Sequence, residues 1–133
     1  MLVFINLPVK DLSKSNAFFT GLGFSFNAQF SGDHSTCIPL NDKTWVMLLT
    51  EDYFKNFTPK NISNAHQTTE VLIAISQDSK AEVDHFMEKV FSLGGTEARP
   101  VQNLGFMYSR AFNDPDGHIW ELGWMDPAAV NEK

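Results

Sequence analysis

Residues 2–24, LVFINLPVKDLSKSNAFFTGLGF, set a strand, a helix cap and a helix in direct succession. In LVFINLPV the branched and aromatic residues favour a strand, with Phe4, Asn6 and Pro8 pointing one way and Val3, Ile5, Leu7 and Val9 the other. That second face is uniformly aliphatic and needs a cover. Asp11 and Ser13 offer N-cap oxygens for a helix whose apolar side is Leu12, Ala17, Phe18 and Leu22, and Gly21 and Gly23 end it. Strand candidates FSFNAQF (24–30), STCIPL (35–40) and TWVMLLT (44–50) follow, separated by turn-rich SGDHS and NDK, so the first fifty residues read as a βαβββ unit.

The same order returns after a break. From Glu51 to Thr69 the pattern fades: EDYFKNF suits a helical turn, and TPKNISNAHQTT is polar, contains Pro and has no period. EVLIAIS (70–76) is then a strand, Ser79 with Glu82 forms a capping box, and Val83, Phe86, Met87, Val90 and Phe91 lie on one helical face before Gly94 and Gly95. Strand candidates TEARPV (96–101), FMYSRAF (106–112) and HIWELGW (118–124) complete the set, the last two joined by a DPDG turn. VKDLSKSNAFF and ISQDSKAEVDHF thus form an internal repeat, and a second unit is expected because one βαβββ unit buries one face of its sheet. The fold class is α+β: two βαβββ modules forming a cupped, mixed, mostly antiparallel sheet with helices on the convex face. Module one spans 1–50, the crossover 51–69 and module two 70–126, in a single domain 1–126 with a tail at 127–133.

Composition narrows the function classes. With 43% hydrophobic and 20% charged residues the chain is an ordinary globular sequence, which excludes general disorder. A net charge of -6 without a Lys/Arg stripe excludes nucleic acid as the expected partner. MLVFINLPV has no basic flank and is interrupted by Asn6, Pro8 and Lys10, so neither a signal peptide nor a membrane span is expected there. The lone Cys37 forms no intramolecular disulfide, suits a reducing cytoplasmic compartment, and reads as a small buried apolar side chain.

LPVKDLSKSNAFFTGLGF near one end and DPDGHIWELGW near the other resemble the vicinal oxygen chelate superfamily of glyoxalases, bleomycin-resistance proteins, fosfomycin-resistance enzymes and extradiol dioxygenases, over residues 2–126. The resemblance implies a small-molecule pocket on the concave face and, commonly, a homodimer. In metal-dependent members four His, Gln or Glu side chains hold a divalent ion. Carried over to this sequence, those positions fall at Phe4, Leu48, Leu72 and Glu121, of which Glu121 alone can ligate. The neighbours Met47, Leu49, Val71 and Ile73, one residue away, ligate no better. No cofactor is therefore expected, with a divalent metal as the alternative.

His34, His66, His85 and His118 share no ligand spacing, and the chain lacks G-x-S-x-G, a Cys pair, a phosphate-cradling glycine loop and H-E-x-x-H. Alternation along the strands places Phe4, Asn6, Leu48, Glu70, Leu72, Ile119 and Glu121 around the cavity, an apolar lining with Asn6, Glu70 and Glu121 as its polar points. Glu121 reads either as a working pocket acid or as a hydrogen-bonded strand carboxylate, and a nearby Glu70 would let two carboxylates share a proton. Trp120 and Trp124 belong on the opposite face, under a helix, while the faces of Tyr108 and Arg110 stay open between holding an anionic ligand and an ordinary surface role. The expected function is a small-molecule-binding glyoxalase/bleomycin-resistance-like protein without the usual metal site, sequestering a ligand or acting metal-free through Glu121. The alternatives are a lactoylglutathione-lyase-like or dioxygenase enzyme with a relocated metal site using Glu121, Glu70 and Asn6, and a non-catalytic interaction domain.

Overall fold

The computed structural model describes residues 1–130, and within it the chain separates into two compact units, Met1–Asn64 and Ala65 onward. The division falls inside the segment expected to be a crossover.

In the first unit, β1 (Val3–Val9) leads into α1 (Leu12–Gly21), then β2 (Ser35–Pro39), β3 (Thr44–Thr50) and the short α2 (Glu51–Phe54). Asp11 is the N-cap of α1, its carboxylate accepting from the Lys14 N–H at 3.1 Å. The sheet order is β1-β3-β2, with β1 parallel and β2 antiparallel to β3. Register decides the faces. Leu7 pairs with Leu48 and Ile5 with Val46, and the buried residues Leu7, Val9, Val46, Leu48, Phe18, Phe19 and Leu22 form the core of the unit. At full burial each large aliphatic group adds roughly 1.5–3 kcal/mol. On the other face Phe4 pairs with Trp45, their rings stacked at 5.0 Å, and Asn6 pairs with Met47.

The expected strand at 24–30 does not form. Its C-terminal half is instead a 3-10 turn at Ala28–Phe30, capped by the Asn27 side chain, which accepts from the Gln29 N–H at 3.1 Å. Ser31 Oγ donates to the Asn27 carbonyl at 2.7 Å and accepts from the Cys37 N–H at 2.9 Å. These local side-chain bonds capture backbone groups that a ladder would have used. Module one is therefore βαββ rather than βαβββ. Cys37 is buried, as a small apolar side chain would be, and burial pushes its thiol pKa up.

The second unit runs β4 (Leu72–Ser76), α3 (Lys80–Ser92), β5 (Thr96–Glu97), β6 (Gln102–Asn103), β7 (Met107–Asn113), β8 (Ile119–Met125) and α4 (Pro127–Val130). The expected tail at 127–133 thus begins as a helical turn, and its last three residues lie outside the described part. Sheet order is β4-β8-β7-β5, with β6 also on β7; β4 is parallel to β8 and the β7 pairings are antiparallel. The molecule is α+β with one mixed sheet in each unit. TEARPV is not one strand: paired residues end at Glu97, the last bond to β7 runs from the Ala98 N–H to the Ala111 carbonyl at 2.8 Å, and pairing resumes only at Gln102, beyond Pro100.

The Ser79/Glu82 capping box is present, with Ser79 Oγ accepting from the Glu82 N–H at 3.1 Å, and the Glu82 carboxylate reaching back to the Asp78 N–H at 3.0 Å. Helix α3 buries Val83, Met87 and Val90 against Phe112, Trp120 and Leu122, and the rings of Phe86, Phe112 and Trp120 stack at 5.8 and 6.3 Å. Phe91, read as part of the apolar face, is exposed beneath the Arg110 guanidinium. No helix among the described residues is long and apolar enough to cross a membrane.

Candidate functional site

Alternation along three neighbouring strands gives the second sheet a face turned away from α3. It carries Leu72, Ala74 and Ser76 from β4, Ile119, Glu121, Gly123 and Met125 from β8, and Met107, Ser109 and Ala111 from β7. A cleft of about 690 Å³ opens on part of this face, with Ala74, Ser76, Asp78, Arg99, Gln102, Met107, Ser109, Glu121, Gly123, Trp124 and Met125 among its lining residues.

Glu121 stands in this cleft between two alanines, Ala74 on β4 and Ala111 on β7. Its Oε2 accepts from Arg99 Nη2 at 2.9 Å, and the same nitrogen donates to Ser109 Oγ at 2.7 Å. Arg99 Nη1 donates to the Pro100 carbonyl at 3.3 Å. The Arg99 and Glu121 side chains are each 24% exposed, so the pair is partly shielded from solvent while still reachable from it. Oε1 of Glu121 makes no hydrogen bond among the described residues, so this cleft-lining carboxylate has one oxygen fixed and the other open to a donor. The arrangement can accept a donor from a ligand and hold it in a set direction.

Arg99 is the residue that sequence reasoning missed. Strict alternation through TEARPV would put it beside Glu97, whose carboxylate lies with Arg110 toward α3. Because the ladder stops at Glu97, the bend at Arg99 brings its guanidinium to the cleft side instead. Nothing in the local sequence gave a signal for that bend beyond Pro100.

The other expected site residues scatter. Glu70 is exposed, precedes β4 and does not line the cleft, so the expected carboxylate pair is replaced by a carboxylate–guanidinium pair. Leu72 and Ile119 pair with each other on the cleft face but beyond the cleft itself. In the first unit Leu48 is completely buried on the α1 side, the face opposite Phe4 and Asn6, and is not a lining residue there. Register explains the slip. Phe4 pairs with Trp45 as Leu72 pairs with Ile119, so the counterpart of Glu121 in the repeat is Met47. Phe4 is exposed on its stack with Trp45, and Asn6 lines a separate hollow of about 350 Å³ with Leu49, Phe54, Phe57 and Thr58. The repeat-related positions are thus Phe4, Met47, Leu72 and Glu121. Their benzyl, thioether, isobutyl and carboxylate groups do not suit a hard divalent cation, and the single carboxylate is already bonded to a guanidinium. Among the described residues no cluster of three or more His, Cys, Asp or Glu is placed to hold a metal.

The faces of Tyr108 and Arg110, left open by the sequence, are both toward α3. Tyr108 Oη donates to Asp84 Oδ1 at 2.6 Å, and Arg110 bridges Asp84 Oδ1 at 3.0 Å and Glu97 Oε2 at 2.8 Å. The bond to Asp84, with burial, pushes the Tyr108 phenol up. Burial works against the Arg110 charge, but the bonds to Glu97 and Asp84 outweigh it and the pKa rises. Neither residue reaches the cleft. Trp120 is core, whereas Trp124, expected to join it, is half-buried at the cleft rim with Lys80 Nζ 5.4 Å from its ring.

The DPDG turn holds β8 in place. Asp114, 5% exposed, accepts from the N–H groups of Asp116 (2.9 Å) and His118 (3.0 Å) through Oδ1, and from the Trp120 indole at 3.2 Å through Oδ2. Burial raises its pKa, opposed by the His118 charge, the indole and the Asp116 N–H. Gly117 has φ +87°, and a Cβ there would meet the His66 backbone nitrogen at 2.8 Å. This fixes the start of β8 at Ile119, one residue before Trp120 enters the core and two before Glu121 enters the cleft.

Comparison with known proteins agrees with the architecture. Among solved structures, a hypothetical protein SA1046 from S. aureus is 29% identical over 93% of this chain and 92% of that one, with a TM-score of 0.78. A glyoxalase-related enzyme from Fulvimarina pelagi, 21% identical over 93% and 87%, superposes with a TM-score of 0.80. The genomically encoded fosfomycin resistance protein FosX from Listeria monocytogenes is 25% identical over 93% and 92%, at a TM-score of 0.68, and a mutant of it has been solved with Mn(II) and 1S,2S-dihydroxypropylphosphonic acid. No curated protein matches the chain in sequence. The family model for the Glyoxalase/Bleomycin resistance protein/Dioxygenase superfamily matches residues 2–122, and the chain belongs to that superfamily.

Proposed function

We propose that this protein binds a small organic molecule in the cleft of its second unit, without the divalent metal that FosX holds, and that Glu121 orients the bound molecule. The observation that carries this reading is the fixed carboxylate: Arg99, itself bonded to Ser109 Oγ, donates to Glu121 Oε2, while Oε1 carries no hydrogen bond among the described residues and Glu121 lines a cleft of about 690 Å³. Apolar walls from Met107, Met125 and Trp124 supply contact, and sparse polar groups set direction, the usual construction of small-molecule sites. Sequestration fits better than proton transfer because the guanidinium engages the carboxylate that would have to act as acid or base. The donor chemistry at Phe4, Met47 and Leu72 supports a metal-free site, and the exposed Glu70 offers no support for a relocated one.

The test is to purify the chain without chelator, release its bound molecules by denaturation, and identify them by mass spectrometry alongside elemental analysis. The expected result is a retained organic molecule that falls at least tenfold in Glu121→Gln, with divalent metal far below one equivalent per chain. A stoichiometric metal, or an organic molecule retained equally by Glu121→Gln, would overturn the reading.

A further inference from the structure

Gly123 stands in the middle of β8, where glycine costs about 0.5–1 kcal/mol relative to alanine. The usual structural reasons for a glycine do not apply to it. Its φ is not positive, in contrast to Gly23, Gly94, Gly105 and Gly117. Pairing continues unbroken through it, to Ser76 on one side and Ser109 on the other, so there is no bulge. A Cβ built on it would have no neighbour within 4 Å. A mid-strand glycine with none of these causes points to close approach of another group to the backbone, and in a cleft that group is a ligand.

The surroundings give that ligand a shape. Ser76, Gly123 and Ser109 lie side by side on three strands, a floor roughly 10 Å across at the usual strand spacing whose own side chains are no longer than a hydroxymethyl group, with the Arg99 guanidinium bonded to the buried Ser109 closing its β7 side. Along β8 the floor is bounded by Glu121 and by Met125, whose Cα atoms are roughly 13 Å apart for an extended strand. A flat ring covers such a floor, while a puckered one touches it at a few points. Glu121 Oε1 calls for a donor on the ring's edge. The cleft lining carries two carboxylates, Asp78 and Glu121, and one guanidinium, Arg99, a balance that disfavours an anion.

Building on the ligand-binding reading above, we infer that Gly123 determines what the cleft admits, and that the ligand class is a flat, aromatic, non-anionic molecule with an N–H or O–H donor at its edge. The probes are benzamide and cyclohexanecarboxamide, which share the amide donor and differ in ring planarity, and benzoate, which replaces the donor by a charge. Amide resonances of the isotopically labelled protein are followed during titration of the wild type, Gly123→Ala and Gly123→Leu.

Benzamide is expected to shift Ser76, Gly123 and Ser109 with at least a tenfold lower Kd than cyclohexanecarboxamide or benzoate. Gly123→Ala should weaken it without lowering the melting temperature, and Gly123→Leu should abolish it. Equal binding of the two carboxamides, no shift at the cleft with either, or full benzamide affinity in Gly123→Ala overturns the inference; the alanine variant decides should Gly123→Leu not fold. A protein that retains an organic molecule through Glu121 yet treats the two rings alike would refute the flat ligand and leave the binding reading standing. Loss of both the retained molecule and the benzamide shifts would refute both.

Discussion

Replacing Asp114 tests whether the DPDG turn is fastened by its first carboxylate. Asp114→Ala removes the acceptor of three hydrogen bonds, those from the Asp116 and His118 N–H groups and from the Trp120 indole. Trp120 is 1% exposed and its indole has no route to water, a loss of about 1–3 kcal/mol. The two turn N–H groups belong to half-buried residues and recover part of their hydration, about 0.5–1.5 kcal/mol each. Relief of the buried charge, visible in the raised Asp114 pKa, returns part of this, so the net loss expected is about 2–4 kcal/mol. Asp114→Asn keeps Oδ1 but sets an amide N–H2 against the indole N–H, for a smaller loss of about 1–2 kcal/mol.

Urea unfolding followed by Trp fluorescence measures both, as a shift in midpoint at unchanged slope. The pH dependence has a definite sign. A carboxyl with a raised folded-state pKa contributes stability that is complete below the ordinary carboxylate range and is lost as pH climbs through the raised value. The advantage of the wild type over Asp114→Asn should therefore be largest in acid and shrink over that window. An advantage that widens with rising pH, or an Asp114→Ala loss below about 1 kcal/mol, would refute the reasoning.

Other substitutions probe the remaining contacts. Gly117→Ala forces a side chain into φ +87° and against the His66 backbone, so a loss of at least about 1 kcal/mol and a clear fall in melting temperature are expected; an unchanged melting temperature would contradict the close contact. Arg99→Met should reduce ligand retention at least tenfold while changing urea stability by less than about 1 kcal/mol, since the ion pair is partly exposed; a large stability loss with normal retention would make it a structural strut instead. Arg110→Lys cannot span Asp84 and Glu97 together and should lower stability by about 1 kcal/mol, with a double-mutant cycle against Glu97→Gln recovering most of that as coupling; zero coupling would deny the bridge.

The elements legible in the sequence were those with a strong local cause: the alternation of β1, the Asp11 cap, the capping box at Ser79, and the TWVMLLT strand, which forms over the residues expected. The reading failed where side chains compete for the backbone. FSFNAQF has strand composition, yet Asn27 and Ser31 hold their own turn. On β8, the face that Glu121 takes was legible because DPDG anchors the count along the strand. Leu48 was misplaced by one residue because TWVMLLT is apolar on both faces and gives no phase. Arg99 was invisible because it reaches Glu121 through a break in the ladder, which alternation does not describe.

The parallel pairing of β4 with β8 has a bearing on how the second unit is made. β4 lies at one end of its sheet, and its ladder partner is separated from it in sequence by α3, β5, β6 and β7. While the chain is being synthesised, Ile73 and Ile75 have no strand to lie beside until Ile119–Met125 has emerged. Such distant closure is slow relative to helix and hairpin formation. The α3 helix and the β7–β8 hairpin are thus available first, and insertion of β4 beside β8 is the step that completes the floor on which Ser76, Gly123 and Ser109 meet.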